Sequence, residues 1–283
     1  MELWYTEKHT ENTGLTMKIT NCLFQGKTKY QELAILQSPE YGKILLLDGL
    51  VMLTERDEFI YHEMIAHVPL FSHPEPRRIL IIGGGDGGTV RETLKHSSVE
   101  SIDLVEIDEM VITSCKEHFP SISYGLDSPK VHIHITDGIE FVRNCRSEYD
   151  VIIIDSTDPI GPGEGLFTES FYQNASCALT EEGLLVAQGE SPFLCEHIVV
   201  PLHQKLRRTF PVSTMYLAFI PTYPSGCWSF AWCSKKNGPL QYLDTAGYEK
   251  LKPSLRYYNP EVHKAAFTLP NFIKDLLPNE NPV

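Results

Sequence analysis

The segment ILIIGGGDGGTVRETLKH, residues 79–96, joins a short apolar strand to a helix through a glycine-rich turn. Gly83, Gly85 and Gly88 satisfy the spacing G-x-G-x-x-G, which lets the backbone approach a bound ligand closely. A strand, glycine turn and helix in this order are typical of a parallel α/β sheet. The segment therefore predicts a nucleotide-type ligand at the end of this strand.

Short apolar runs alternate with amphipathic stretches through the rest of the chain: RILIIGGG, SIDLVEID, KVHIHITD, YDVIIIDS and GLLVAQGE. Strands buried on both faces have this composition, so we predict a doubly wound, mostly parallel Rossmann-like sheet of the methyltransferase type. Two β segments around a Pro/Gly turn beyond residue 211 indicate an antiparallel ending to that sheet.

The first part of the chain has a different sequence pattern, in which short β segments are separated by turn residues. A hairpin is predicted at Asp48-Gly49. An apolar periodicity over residues 58–74 then predicts a helix with one buried face. We expect a small β-rich domain over residues 1–58 and a Rossmann-like catalytic domain over residues 59–283.

The overall charge and the cysteine pattern restrict the class of protein. The formal net charge of -13 disfavours nucleic-acid partners and anionic membrane surfaces. The seven cysteines form no C-x-x-C pair, and no apolar run approaches the ~20 residues of a membrane helix, which favours a soluble cytoplasmic protein. The histidines of HEMIAH are five residues apart rather than four, so we predict no metal site.

Asp86 stands inside the glycine turn, where a dinucleotide-binding protein would hold a pyrophosphate. A carboxylate at this position repels phosphates and favours a cationic ligand instead. The alternative is that Asp86 caps the following helix, and one side chain can serve both purposes.

Acids also end the neighbouring predicted strands. Glu106 lies where an acid accepts the ribose hydroxyls of an adenosine, and Asp137 with Gly138 can hold and accommodate the adenine. Asp155 ends the strand YDVIIID, and Asp158 lies on the loop that follows it. An adenosine extended by a cationic chain fits this edge, and decarboxylated S-adenosylmethionine fits it better than S-adenosylmethionine, which keeps a carboxylate.

Six segments together closely resemble the spermidine synthases, the polyamine aminopropyltransferase family: LLLDGLVMLTERDEFIYHEMIAHVPL, ILIIGGGDGG, LVEID, DSTDPIGPGEGLFTESFY, PTYPSG and RYYNPEVHKAAFTLP. The resemblance covers nearly the whole chain. It implies transfer of the aminopropyl group of decarboxylated S-adenosylmethionine, a co-substrate, to putrescine, giving spermidine and methylthioadenosine without a cofactor.

The resemblance also implies roles for individual residues. Its donor-binding positions are Gln31, Asp86, Glu106, Asp137, Gly138 and Pro162. Its acceptor-binding positions are Tyr61, His62, Asp86, Asp155, Asp158 and Tyr223, with Asp155 as the proton acceptor.

Two acids allow a division of labour in which Asp155 takes the proton from the attacking nitrogen and Asp158 orients that nitrogen. The Pro/Gly-rich loop that carries Asp158 is predicted to close over the ligands as a lid spanning residues 159–170. The exact division between the two acids, and the role of His62, remain open at this stage.

Two other functions remain open. One is an S-adenosylmethionine-dependent amine N-methyltransferase on the same fold, and the other is a non-catalytic polyamine- or nucleoside-binding protein. The sequence also leaves open whether the acceptor is putrescine, cadaverine, agmatine or spermidine, and whether the expected homo-oligomer is a dimer or a tetramer.

Overall fold

The computed structural model describes residues 2–157 and 161–278. The N-terminal part consists of two antiparallel sheets. The first pairs β1 (Leu3–Lys8) with β2 (Gly14–Ile19), and the second has the order β3 (Asn21–Lys27), β4 (Glu32–Ser38), β5 (Gly42–Leu47) and β6 (Leu50–Thr54).

The predicted hairpin at Asp48-Gly49 is confirmed. These two residues connect β5 to β6 with φ angles of 49° and 80°, and Leu47 pairs with Leu50. Two consecutive positive φ angles define the type I′ geometry, whose twist matches that of the flanking strands.

The first helix, α1 (Glu58–Ser72), begins where the β-rich part ends. The sequence periodicity predicts one buried face, but α1 is buried almost all round, including the charged Glu58 and Glu63 and the histidines His62 and His67. These polar side chains lie in the interior because each one hydrogen-bonds to another polar group.

The large sheet has the order β12-β13-β11-β10-β7-β8-β9. Its strands are β7 (Arg78–Gly83), β8 (Ser101–Glu106), β9 (Val131–Ile135), β10 (Tyr149–Asp155), β11 (Leu179–Gln188), β12 (Val212–Phe219) and β13 (Cys227–Ser234). The five strands from β9 to β11 are parallel, and β13 pairs antiparallel with both β11 and β12. This is the predicted mostly parallel sheet with an antiparallel ending.

Helices cover both faces of this sheet. After α1 they are α2 (Gly88–Leu94), α3 (Glu109–His118), α4 (Pro120–Ser123), α5 (Gly138–Arg143), α6 (Glu169–Ala178), α7 (Glu196–Thr209), α8 (Thr245–Leu251), α9 (Pro260–Ala266) and α10 (Asn271–Leu276). Alternate residues of one strand enter different cores, since Ile153 belongs to one buried cluster and Ile152 to the other. The fold is therefore doubly wound.

Glu63 attaches the C-terminal segment to α1. Its buried carboxylate accepts backbone N–H bonds of 2.8 Å from Arg256, Tyr257 and Tyr258. Glu63→Gln replaces one acceptor oxygen by an NH₂ group that faces these donors. We expect it to lower the free energy of unfolding by about 2 to 4 kcal/mol, measured by chemical denaturation. A change within ~0.5 kcal/mol would show that the carboxylate is dispensable for stability.

Candidate active site

A cleft opens at the carboxyl ends of β7, β8 and β10 and contains about 930 Å³ of empty space, part of which is open to solvent. The chain leaves β7 toward β8 on one side, and β10 lies on the other, so the cleft lies where the strand order reverses. The N-terminal sheet closes the cleft with Leu45, Leu47 and Met52. Both parts of the chain therefore contribute to one site.

The glycine turn lies directly against the acids at the ends of the neighbouring strands. Gly83 has a φ angle of 82°, and a Cβ on it would lie 2.1 Å from the Asp155 carbonyl oxygen. Gly84 has a φ angle of 68°, and a Cβ on it would lie 2.7 Å from the Asp155 carboxylate. A Cβ on Gly85 would lie 2.7 Å from the Glu106 carboxylate. Side chains at these positions would displace the acids, which explains the need for glycine here.

Asp86 contacts the start of α2 and also faces the cleft, and its contact with a cationic ligand stays a prediction. Its carboxylate accepts a 2.6 Å bond from the Gly88 N–H at the start of α2, and it also lines the cleft. Burial opposes ionisation of Asp86, but the nearby His62 outweighs burial and lowers the pKa of this carboxyl group. Asp86 is therefore an anion facing the cleft.

Glu106 is buried at the end of β8 and accepts bonds from the backbone N–H groups of Asp108, at 3.0 Å, and Gly85, at 3.2 Å. Burial raises its pKa to about 7 despite these bonds. Asp108 caps α3 through the Met110 N–H, and it also accepts a 2.9 Å bond from the Gln31 amide. Gln31 is thus held at the cleft wall by Asp108.

Asp137 and Gly138 lie together at the start of α5. The Asp137 carboxylate accepts a 2.7 Å bond from the Ile139 N–H and caps this helix. A Cβ on Gly138 would lie 2.5 Å from the Ile82 side chain. Both residues line the cleft beside Glu106, so the structure brings the three predicted adenosine-binding residues together.

Asp155 is held by two hydroxyl groups. Tyr61 donates a 2.6 Å bond to its Oδ1, and Thr89 donates a 2.6 Å bond to its Oδ2. Burial and then the negative charge of Asp86 raise the pKa of Asp155, although His62 and the two hydroxyls act in the opposite direction. A carboxylate with a raised pKa is suited to accept a proton near neutral pH.

Tyr223 connects the loop after β12 to the N-terminal sheet. Its hydroxyl donates a 2.6 Å bond to the Met52 carbonyl oxygen, and its ring centroid lies 5.6 Å from that of Tyr61. The preceding Thr222 bonds to the buried Asp57 through its N–H and its hydroxyl.

Asp57 and Thr89 are residues that the sequence analysis missed. The only local signal for Thr89 was its position in the first turn of the helix after the glycines.

His62 also lines the cleft, but each of its two ring nitrogens lies against a carboxylate. Nδ1 lies 2.6 Å from Glu58 Oε2, and Nε2 lies 3.3 Å from Asp86 Oδ1. A contact between these nitrogens and an amine acceptor would have to displace one of the carboxylates.

Asp158 lies outside the residues that the structure describes, as does residue 159 at the start of the predicted lid. The structure describes the backbone of Pro162, in the 3-10 turn Gly161–Phe167, but not its side chain. Within this turn, Gly163 and Leu166 line the cleft. The roles of Asp158 and Pro162 and the closure of the lid remain predictions.

Among the helices that the structure describes, none has the length and apolar character needed to cross a membrane. The sheet topology and the cleft at the strand reversal define a Rossmann-like α/β protein with a predicted nucleoside site.

Comparison with known proteins identifies the family. Residues 58–243 match the family described as the spermine/spermidine synthase domain, and residues 3–55 match the spermidine synthase tetramerisation domain. The chain belongs to the spermine/spermidine synthase family. Where the two domains divide stays a prediction.

Relatives of similar length agree with this membership. The polyamine aminopropyltransferase of Caldicellulosiruptor saccharolyticus is 51% identical over 277 residues, which are 98% of this chain and 99% of that protein. The one from Alkaliphilus oremlandii is 47% identical over 282 residues, 99% of each chain.

Solved structures show the same fold. A crystal structure of spermidine synthase in complex with the transition state analogue AdoDATO has a TM-score of 0.95 at 46% identity, covering 98% of this chain and 95% of that one. Spermidine synthase from Thermotoga maritima has a TM-score of 0.94 at 46% identity, covering 98% and 94%.

Proposed function

We propose that this protein is a polyamine aminopropyltransferase that transfers the aminopropyl group of decarboxylated S-adenosylmethionine to putrescine. The products are spermidine and methylthioadenosine. The observation that carries the proposal is that the cleft holds two acids in different surroundings: Asp86 lies against the His62 ring, and Asp155 accepts hydrogen bonds from two hydroxyl groups. Family membership and the likeness to the AdoDATO complex support this reaction.

The donor would lie along the carboxyl edge of the sheet. Glu106 would accept its ribose hydroxyls, and Asp137 and Gly138 would hold the adenine, while Gln31 and Pro162 would bound the nucleoside. Asp86 would face the positively charged aminopropyl chain. The donor is consumed as a co-substrate, and the proposed chemistry requires no cofactor.

The acceptor would lie beside Tyr61 and Tyr223, whose aromatic faces attract ammonium ions. A second cavity continues from these two rings, and the buried acids Glu7 and Glu190 are among its lining residues. These acids would favour the remote ammonium of a diamine. Asp158 would orient the attacking nitrogen from the loop.

The reaction is a single displacement at carbon. The lone pair of the neutral amine nitrogen attacks the methylene carbon bound to the sulfonium, and the C–S bond breaks as sulfur takes its electron pair. Asp155 accepts the proton lost by the nitrogen. The sulfonium is a good leaving group, so the protein contributes mainly by aligning the two reactants and removing this proton.

The widely spaced cysteines favour a cytoplasmic location, and the match to a tetramerisation domain supports a homo-oligomer, either a dimer or a tetramer. The competing N-methyltransferase function would also use the adenosine site. However, in the proposed donor placement Asp86 would face the carboxylate of S-adenosylmethionine, and this repulsion would favour the decarboxylated donor.

The purified protein should release methylthioadenosine when it is incubated with decarboxylated S-adenosylmethionine and putrescine. Parallel reactions with cadaverine, agmatine and spermidine, followed by mass spectrometry, will define the acceptor. If no amine yields methylthioadenosine while the donor binds, the protein is a non-catalytic binder and the proposal is wrong.

A further inference from the structure

A row of four charged groups leads from Arg91, which is partly exposed, through two buried side chains to the cleft. Arg91 donates to both oxygens of Glu58, at 3.0 and 2.8 Å, and Glu58 contacts Nδ1 of His62 at 2.6 Å. His62 then contacts Asp86 at 3.3 Å. The described lining of the cleft includes His62 and Asp86 but neither Glu58 nor Arg91. The row therefore ends at the ligand-facing acid.

The surrounding packing holds this row in place. The side chains of His62 and Glu58 are 2% and 7% exposed, and that of Arg91 is 11% exposed. A Cβ on Gly88 would lie 2.2 Å from the His62 ring, so the first residue of α2 must be glycine to leave room for the imidazole. Buried charges are stable only when they are paired. The charges along this row alternate in sign, so each charge lies against an opposite one.

The row accounts for the difference between the two cleft acids. Burial opposes a charge on His62, but Asp86 and Glu58 outweigh burial and raise the pKa of His62 to about 10. The resulting cation lowers the pKa of Asp86, whereas Asp155, buried beside the Asp86 anion, has a raised pKa. Two acids whose pKa values are moved apart by their surroundings can take different roles in a reaction.

We infer that Glu58, His62 and Arg91 are positioning residues that hold Asp86 as an oriented anion, so that Asp155 alone receives the proton of the attacking amine. The inference rests on the proposed aminopropyl transfer and gives His62 an indirect role through Asp86. Among the described residues, the titratable or charged groups that act on the row are Glu58 and Tyr61 on α1, Asp86 in the glycine turn, Arg91 and its partner Glu92 on α2, and Asp155 on β10.

Nitrogen NMR of the imidazole rings tests the charge of His62 in the unmodified protein, independently of turnover. The signal of His62, identified by its loss in His62→Gln, should be that of an imidazolium up to about pH 9. A neutral His62 ring near pH 7 would overturn the inference. The proposed function fails separately, by the absence of methylthioadenosine from the wild-type protein.

Glu58→Gln tests the link between this charge and the reaction. The variant removes the anion at Nδ1, so the pKa of His62 falls and the cation that orients Asp86 is lost at a lower pH. The alkaline fall of kcat should move down by about one pH unit or more, which is roughly tenfold in proton concentration. The KM for the donor should change less, because its contacts are retained.

Glu63→Gln is the matched control, since Glu63 is also a buried carboxylate on this helix and, within the described part of the chain, it accepts its hydrogen bonds from the C-terminal segment. It should leave the pH profile of kcat in place. Arg91→Lys, which keeps the charge but loses the paired contact, should shift the profile in the same direction as Glu58→Gln by a smaller amount. Coincident profiles for Glu58→Gln and wild type would contradict the positioning role.

Discussion

Asp155→Asn is expected to lower kcat by roughly 100- to 10,000-fold, the range typical for loss of a general base. The amide keeps one acceptor oxygen for a hydroxyl donor, and its NH₂ group can donate to the other hydroxyl once that hydroxyl rotates, but it cannot take a proton from the attacking nitrogen. The dissociation constant of the donor should stay within about threefold, since the proposed reaction places Asp155 against the reacting amine and not against the adenosine. Single-turnover kinetics and donor titration separate the two quantities.

Asp150→Asn is the control for this variant. Asp150 lies on the same strand at the opposite end, where it accepts backbone bonds from Arg77 and Arg78. Its substitution should leave kcat near the wild-type value. Near-normal turnover by Asp155→Asn would show that another group, or water, removes the proton.

Glu106→Gln is expected to raise the dissociation constant of the donor by roughly 100- to 1,000-fold, because it would impair the two hydrogen bonds proposed between the ribose hydroxyls and this carboxylate. The acceptor KM should change little. Isothermal titration with methylthioadenosine measures the effect without turnover. Asp103→Asn, on the same strand but bonded to His134 and Tyr149, is the control and should keep nucleoside affinity. Equal affinities for Glu106→Gln and wild type would exclude Glu106 from the ribose site.

The raised pKa of Glu106 also predicts how pH affects the wild-type protein. Nucleoside affinity should rise with pH through about 7, because the ribose hydroxyls require the ionised carboxylate. The stability of the unliganded protein should change in the opposite direction, falling between the ordinary pKa of 4.5 and the folded-state value of about 7. Both dependences should be absent in Glu106→Gln.

The parts of the site that depend on one strand and its following turn were predictable from the sequence. The positions of Asp86, Glu106, Asp137 and Asp155 follow from the rule that parallel strands present their carboxyl ends at one edge. The hairpin at Asp48-Gly49 follows from local turn chemistry in the same way.

The contacts that orient these acids were not predictable, because they join distant parts of the chain. Tyr61 and Asp155 are 94 residues apart, and Thr222 and Asp57 are 165 residues apart. A family resemblance can name Tyr61, but only the folded geometry shows that its hydroxyl holds the carboxylate. The burial of α1 on all sides was missed for the same reason. Apolar periodicity predicts only which apolar residues are buried, and it does not indicate polar residues that form hydrogen bonds in the interior.

His62 illustrates the same limit at a single position. Its place in the motif YHEM suggested contact with the amine, whereas its ring nitrogens lie against Glu58 and Asp86. Sequence spacing shows that Glu58 and His62 share a helix face, but the approach of Asp86 depends on how the glycine turn packs against α1. The charge and the partners of His62 can therefore be assigned only from the folded structure of the site.

The choice of donor tests the central claim most directly. The protein is incubated with putrescine and either decarboxylated S-adenosylmethionine or S-adenosylmethionine, and the amine product and the nucleoside product are both identified by mass. The account predicts spermidine and methylthioadenosine from the decarboxylated donor and little turnover of the other. Methylated putrescine formed from S-adenosylmethionine, with no spermidine from the decarboxylated donor, would contradict it.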